Sequence, residues 1–425
     1  MRTLVVGGGG REHALAWALA RSPSVDEVLA APGNPGIARE AECIAVEATD
    51  VAAIPDLVER RGVDLTVIGP EAPLVAGLAD VLRERGHRVF GPGADGARLE
   101  ASKSWAKSLC ERYGIPAGQS VAADTVEDAL EVLDRSGPPY VVKADGLAAG
   151  KGVVIATDRA DAEDAVRGAI ERRDFGDAGS TLVIEEFLEG REVSAFAIAD
   201  GSSAVPLAYA QDHKRIGDGD IGPNTGGMGA VSPVPAVDEV LADRIRADVL
   251  DRTVAGLREE GVRYVGVVYA GLMLTSDGPK VLEYNARFGD PETQVLLPRL
   301  RSDLGRLLAA AADGRLAAID PPEMAGAAVT VVLASEGYPG RYDVGHPIEG
   351  LADAEREGAI VFHAGTRERD GRVVTAGGRV LSVTAVGDSI ADARERAYAA
   401  ASRISFRGMH LRRDIAARAA EEERA

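Results

Sequence analysis

With two cysteines in 425 residues, Cys43 and Cys110, the chain has no material for a disulfide framework or a thiolate metal cage. Its six histidines (13, 87, 213, 346, 363 and 410) include no closely spaced pair, which argues against a zinc site. Aromatic residues make up only 4%, poor material for stacking single-stranded bases. No stretch approaches the ~18 consecutive apolar residues of a membrane helix, and the apolar opening Thr3–Val6 is too short for a signal-peptide core. Basic residues are also in deficit: 48 Lys and Arg against 67 Asp and Glu leave a formal charge of −19, a surface that repels a phosphate backbone on average. Nucleic acid, membrane and zinc are therefore set aside, and a cytoplasmic location is expected. Lysine is scarce, occurring only at 103, 107, 143, 151, 214 and 280, so its positions carry information.

What is present is a globular composition, 46% hydrophobic and 27% charged, on a chain long enough for about three domains. The first hundred residues alternate strand and helix: Thr3–Val6, a helix from Glu12 to Ala20, Val28–Ala30, Leu65–Ile68, a helix over Leu74–Arg85, then Val89-Phe90. That alternation predicts a parallel sheet covered by helices. A helix near Ser102–Tyr113 follows. Strands at Tyr140–Lys143, Val153–Ala156 and Leu182–Glu185 with a helix near Ala162–Arg172 then suggest a small α+β lid. Strand patterns dominate Glu192–Asn285, interrupted by a glycine-rich excursion at Gly217–Gly229; a loop of that size with little secondary structure is usually functional or disordered. Beyond Pro321-Pro322 come strands at Ala327–Ala334, Ile360–His363 and Arg379–Ala385 and a helix near Ile390–Arg403. The boundaries expected are 1–101, 102–322 with a lid at about 121–190, and 323–425.

Four segments carry chemistry. Gly7–Gly10 stands between strand and helix, but Glu12 occupies the third glycine position of the dinucleotide fingerprint, and the second strand ends without a carboxylate. A monophosphate on free backbone amides fits better than NAD. The run Lys143 to Val153 is one residue short of a P-loop and sits between two strands; its glycines and lysines suit a flap over phosphates. On the strand ending at Asn285, alternation places Glu283, Asn285 and Arg287 on one face, two oxygen ligands suited to magnesium beside a cation for phosphate. Around Asp212–Arg215 and Asn224–Met228, basic side chains and backbone amides could hold a carboxylate. No serine, cysteine or histidine in these segments has a partner for covalent catalysis, so phosphoryl transfer by positioning and charge neutralisation is expected.

Taken together, GGGGREHALAW at 7–17, APGNPG at 31–36, GPEAPL at 69–74, KADGLAAGKGV at 143–153, EEFLEGRE at 185–192, QDHKR at 211–215, GPNTGGMGA at 222–230, EYNARFGDPETQ at 283–294, VFHAGT at 361–366 and GGRVL at 377–381 resemble the phosphoribosylamine–glycine ligase family of the ATP-grasp superfamily, essentially end to end. The resemblance implies an N-terminal parallel-sheet, Rossmann-like domain, an ATP-grasp core with a mobile lid, and a C-terminal mixed β/α domain. It implies ATP, Mg²⁺ or Mn²⁺, glycine and 5-phosphoribosylamine as ligands, glycyl phosphate as the intermediate of a purine-pathway reaction, and a monomer. By position, Lys103 and Lys143 would hold ATP phosphates under a flap of Gly146, Gly150, Lys151 and Gly152. Glu185, Glu186 and Leu188 would line adenine, and Glu192 the ribose. Glu283 and Asn285 would bind the metal. Arg287 would steady the transferring phosphoryl group, with Asp290 as a partner of the glycine amine. Asp212, Lys214, Arg215, Asn224, Thr225, Gly226, Gly227 and Met228 would shape the acceptor pocket, and Gly8, Gly9, Gly10, Asn34 and Glu71 would face the ribose phosphate.

Two positions depart from the family pattern. Gly8 stands where many members carry Asn, and the strand Val268–Leu274 has no carboxylate where many ATP-grasp relatives place a metal ligand. Rival readings are another ATP-grasp ligase or purine-pathway carboxylase using bicarbonate, a nucleotide-binding regulator without catalysis, and, last, a dehydrogenase.

Overall fold

The computed structural model describes residues 1–148 and 152–424. Five parallel strands form the N-terminal sheet in the spatial order Glu42–Cys43, Glu27–Pro32, Arg2–Gly7, Leu65–Ile68, Val89–Phe90. The strand Arg2–Gly7 is buried from Thr3 onward because helices cover both faces, which is why it reads as an unbroken apolar run. The helix expected over Leu74–Arg85 is two helices, Glu71–Val75 and Leu78–Glu84. Gly77 separates them at φ +80, a left-handed conformation that ends the first helix and that glycine adopts without strain.

Ser102 lies between two successive helices. It ends the helix Ala94–Ala101 and caps the next, Lys103–Arg112, its hydroxyl accepting from the Trp105 amide at 3.2 Å. The lid is a four-stranded antiparallel sheet, ordered Ser120–Ala123, Leu182–Glu185, Tyr140–Ala144, Val153–Ala156, backed by the helices Val126–Arg135 and Arg159–Ile170. Lys143 lies opposite Val153 in an antiparallel pair, so the glycine-rich flap joins two neighbouring strands, as its sequence suggested. Its residues Gly150 and Lys151 lie outside the described part of the structure.

A nine-stranded sheet organises the rest. Gly278–Asn285, Val265–Thr275, Arg191–Asp200 and Ala204–Asp212 run side by side, then Gly229–Ser232, Ala327–Ser335, Arg379–Gly387 and Ile360–His363, with Met409–His410 also pairing onto Ala327–Ser335. The strand Gly229–Ser232 joins the two halves: it pairs with Ala204–Asp212 on one edge and Ala327–Ser335 on the other. Strands of the C-terminal segment expected at 323–425 thus continue the sheet begun by Arg191–Asp200 and its neighbours.

The excursion Gly217–Gly229, expected to have little secondary structure, is ordered. Arg215–Gly217 and Ile221–Asn224 form a short hairpin. Buried Arg412 fastens it, donating to the Asp220 carboxylate at 2.6 Å and to the Arg215 carbonyl at 3.1 Å.

Candidate active site

A cleft of about 1220 Å³ lies between the lid, the sheet and the C-terminal strands. Register explains its floor. Residues directly opposite one another in a sheet share a face, so Glu283, Gly271, Ser194 and Ala210 form one row across four strands, and Glu192 lies opposite Met273 in the next row on that face. The small residues in the middle of the first row are buried, and the carboxylates of Glu192, Asp212 and Glu283 line the cleft.

At the lid end, one carboxylate organises two lysines. Glu185 Oε2 receives Lys107 Nζ at 2.8 Å and Lys143 Nζ at 3.0 Å, and all three side chains are buried. The lysines also donate to the carbonyls of Val281 and Leu282, at 3.2 and 3.3 Å, stitching the lid to the edge strand. Glu185 Oε1 is buried without a hydrogen-bond partner among the described residues. Burial pushes the Lys107 ammonium below its ordinary value despite Glu185. Lys107 was not singled out in the sequence, although its i+4 spacing from Lys103 puts both on one helix face. Lys103 itself donates to the carbonyls of Ala144 and Gly146, at 2.8 and 3.2 Å, and so holds the base of the flap. The side chain of Glu186 accepts from the Gln119 amide at 3.1 Å; Leu188 is buried against the cleft wall. Glu192 forms an ion pair with Lys214.

Glu283 and Asn285 point from one strand into the cleft. Burial pushes the Glu283 carboxyl up, but Lys214, Lys143, Lys103 and Arg287 outweigh it and hold it below its ordinary value. Asp212 goes the other way: burial first, then Glu292 and Glu283, raise it well above. Its nearest cation is Lys214 at 3.8 Å. Glu292, buried, accepts from the hydroxyls of Tyr269 and Ser194. Asp212, Glu283 and Glu292 thus feel one another's charge, but among the described residues no three His, Cys, Asp or Glu side chains are grouped closely enough to hold a metal ion. The oxygen donors of Glu283 and Asn285 are of the kind a hard divalent cation takes, and such an ion would draw its remaining ligands from phosphate or water.

Arg287 lies between two acids, with Nη2 at 2.8 Å from Glu100 Oε1 and Nε at 3.4 Å from Glu71 Oε2. Burial opposes its charge, yet Glu100 and Glu71 raise its pKa. Glu71, expected to face the sugar phosphate, lines the cleft beside Arg287 and Arg11. Asp290 accepts from Gln294 Nε2 at 2.7 Å and lies 3.2 Å from Arg379 Nη2. Burial favours its neutral form, but Arg379 and then Arg11 hold it ionised, with the pKa below the ordinary value.

Several sequence-identified groups are committed to the protein itself. Asn34 Nδ2 donates to the carbonyls of Gly8 and His363 at 2.9 and 2.8 Å, while its Oδ1 accepts from Gly36 and Ile37. The Gly9 amide donates to Glu12 Oε2 at 2.6 Å, and Gly10 is buried beside Gln294. At Gly8 a Cβ would stand 2.5 Å from the Gly33 carbonyl oxygen, so this turn has no room for the family's Asn without a shift. The amides of the acceptor loop are spent as well. Thr225 donates to the Lys214 carbonyl, Gly226 to Tyr338 Oη, Gly227 to Thr225 Oγ1 and Met228 to the His213 carbonyl. A carboxylate in this pocket must be met by side chains instead. Arg215 donates to the Gly222 carbonyl at 2.8 Å, and Lys214, Arg215 and Arg379 all line the cleft.

The chain matches three family descriptions in order: "Phosphoribosylglycinamide synthetase, N domain" over residues 1–100, "ATP-grasp (A) domain" over 101–293 and "C domain" over 328–418. A phosphoribosylamine–glycine ligase of Agrobacterium fabrum is 49% identical over 425 residues, covering 100% of both chains. The crystal structure of a phosphoribosylamine–glycine ligase from Thermotoga maritima superposes with a TM-score of 0.85 at 37% identity, over 98% of this chain and 100% of that one. An N5-carboxyaminoimidazole ribonucleotide synthetase from Thermotoga maritima, at 19% identity and a TM-score of 0.65 over 95% of this chain and 99% of that one, shares the fold alone.

Proposed function

The chain belongs to the phosphoribosylglycinamide synthetase family, and from that premise we propose how its cleft carries out the ligation. It is an ATP-dependent, ADP-forming ligase that joins glycine to 5-phosphoribosylamine in purine biosynthesis. No helix among the described residues is long and apolar enough to cross a membrane.

The carrying observation is that Lys143, Glu283, Asn285, Arg287 and Asp290 open into one cleft with the Asp212–Met228 loop. A glycine carboxylate oxygen attacks the γ-phosphorus of ATP, and the bond to the ADP oxygen breaks. The phosphoribosylamine nitrogen then attacks the glycyl carbonyl carbon. It sheds a proton as phosphate departs with the C–O electron pair, leaving an amide. Lys143, fixed by Glu185, and Arg287, fixed by Glu100 and Glu71, are preorganised cations where charge shifts between phosphoryl oxygens, and they need little reorganisation during reaction. Glu283 and Asn285 would hold a Mg²⁺ or Mn²⁺ ion, which when bound neutralises nucleotide phosphate charge. Lys214 supplies positive charge for glycine's carboxylate, and Asp290, held ionised by Arg379, the negative charge for its ammonium. The amides of Gly8 and Gly10 at the start of the first helix, with Arg11 nearby, suit the ribose phosphate.

The test is phosphate release from ATP and magnesium with phosphoribosylamine generated in the same tube, comparing glycine, alanine, β-alanine and bicarbonate. Release that requires both glycine and the amine is expected. Release driven by bicarbonate would replace the ligase with a carboxylase.

A further inference from the structure

We infer that the C-terminal domain supplies two positioning residues for the amine-acceptor half of the site, Arg379 and Tyr338, which grip the backbone of a single residue of the acceptor loop, Gly226, by its N–H and its carbonyl. The inference rests on the ligase reading of the cleft. Arg379 begins the strand Arg379–Gly387, and Tyr338 lies in the loop after Ala327–Ser335, both beyond the ATP-grasp segment.

The grip is specific. The Gly226 N–H donates to Tyr338 Oη at 3.0 Å. The Gly226 carbonyl accepts from Arg379 Nη1, which also donates to the Asp290 carbonyl at 2.7 Å. Arg379 Nη2 stands 3.2 Å from Asp290 Oδ2. One planar guanidinium therefore ties together two loops, Asn224–Met228 and Phe288–Glu292, using the fork geometry that lysine lacks. The glycines permit this approach: a Cβ on Gly226 would stand 2.9 Å from Arg379 Cζ. Gly227, at φ +106, would bring one within 2.5 Å of the Pro291 ring, so the loop is built around the contact.

The consequence is functional rather than only structural. Asp290 and the Gly226 peptide border the acceptor pocket, whereas Lys143 and Glu185 lie at the other end of the cleft. Loosening the grip should blur the positions of groups that meet glycine and the sugar amine while leaving the nucleotide end intact. A misplacement of this kind is costly because bound geometry sets the rate of the second step.

The experiment uses the full-length enzyme as Arg379→Lys, Arg379→Ala and Tyr338→Phe, with two readouts. The first is steady-state kinetics: kcat/KM for glycine and for phosphoribosylamine should fall about ten- to a hundredfold in Arg379→Ala, with Arg379→Lys and Tyr338→Phe between it and wild type, while KM for ATP stays constant. The second is amide hydrogen exchange of the free protein. Protection at residues 225–228 should fall in each variant, with the nine-stranded sheet unchanged. Equal losses toward all three substrates, or unchanged exchange at 225–228 in both Arg379 variants, would overturn the grip. A wild-type enzyme with no glycine-dependent turnover would overturn the ligase reading instead, whatever the exchange shows.

Discussion

Lys107 and Lys143 converge on the same atom, Glu185 Oε2, from two different elements, a helix of the core and a strand of the lid. Two cations sharing one buried anion leave a net positive charge at the cleft wall, which an incoming phosphate can complete. Glu185 and Lys143 stand on paired strands of the lid sheet and Lys107 on the core helix, so displacing the lid sheet would carry Glu185 and Lys143 away together and break the Lys107 contact.

Lys107→Met should therefore weaken ATP binding without touching the acceptor side. Removing one partner of a buried ion pair costs about 3–5 kcal/mol when the other is left unpaired. Lys143 remains here, so a loss near the bottom of that range is expected. Thermal denaturation with and without ATP checks it, and a variant with wild-type stability and ATP affinity would make the Lys107 contact incidental.

Lys143→Ala should reduce turnover by roughly 2–4 kcal/mol of barrier, the cost typical of losing one preorganised donor to transition-state charge. Single-turnover phosphate release is the measurement. Wild-type turnover would remove Lys143 from the phosphoryl-transfer step.

Glu283→Gln should weaken divalent-ion binding about tenfold or more, because a neutral amide replaces an ionised ligand whose charge the surrounding lysines maintain. Titration of Mn²⁺ by electron paramagnetic resonance, in the presence of a non-hydrolysable ATP analogue, reads this directly. Unchanged Mn²⁺ affinity would take Glu283 out of the metal shell.

Acid should destabilise the interface between the first and last domains. Burial pushes the His213 and His363 imidazoles down, each to about 4. An unfolded histidine titrates near 6.5. Between those values the unfolded chain binds protons that the folded one refuses, so this contribution to stability is complete above about pH 6.5 and is lost as the pH falls toward 4. Each histidine contributes at most about 3 kcal/mol. His363, whose amide donates to His13 Nδ1 at 2.7 Å, is the one at the domain contact. Urea midpoints at pH 7.5 and 5 should drop less in His363→Gln than in wild type. Equal drops would show that His363 is not held neutral.

Most of this architecture is written locally. The apolar runs at Thr3–Val6, Leu65–Ile68 and Val193–Ala199 become strands because β-branched and small apolar residues pack on pleated surfaces. Alternation along Gly278–Asn285 alone places Glu283 and Asn285 on one face. The segments of the cleft were legible for the same reason, since glycines flanked by lysines and acids at period two keep their meaning without a partner. Less legible were the uses to which single side chains are put. Asn34 and the amides of Thr225–Met228 look free in sequence, yet all are hydrogen-bonded within the fold. Burying polar groups without partners is too costly for them to stay open.

The sequence by itself thus determined the elements, the family and the segments that line the cleft, because these depend on periodicity and residue chemistry over a few neighbours. Only the tertiary structure decided which charges meet. Lys107 with Glu185, Arg287 with Glu100, and Arg379 with Asp290 are separated by 78, 187 and 89 positions, the intervals between their residue numbers. No local pattern encodes such pairings. They arise when the N-terminal, lid and nine-stranded sheets are brought to one cleft and each buried charge takes a counter-charge that offsets its desolvation.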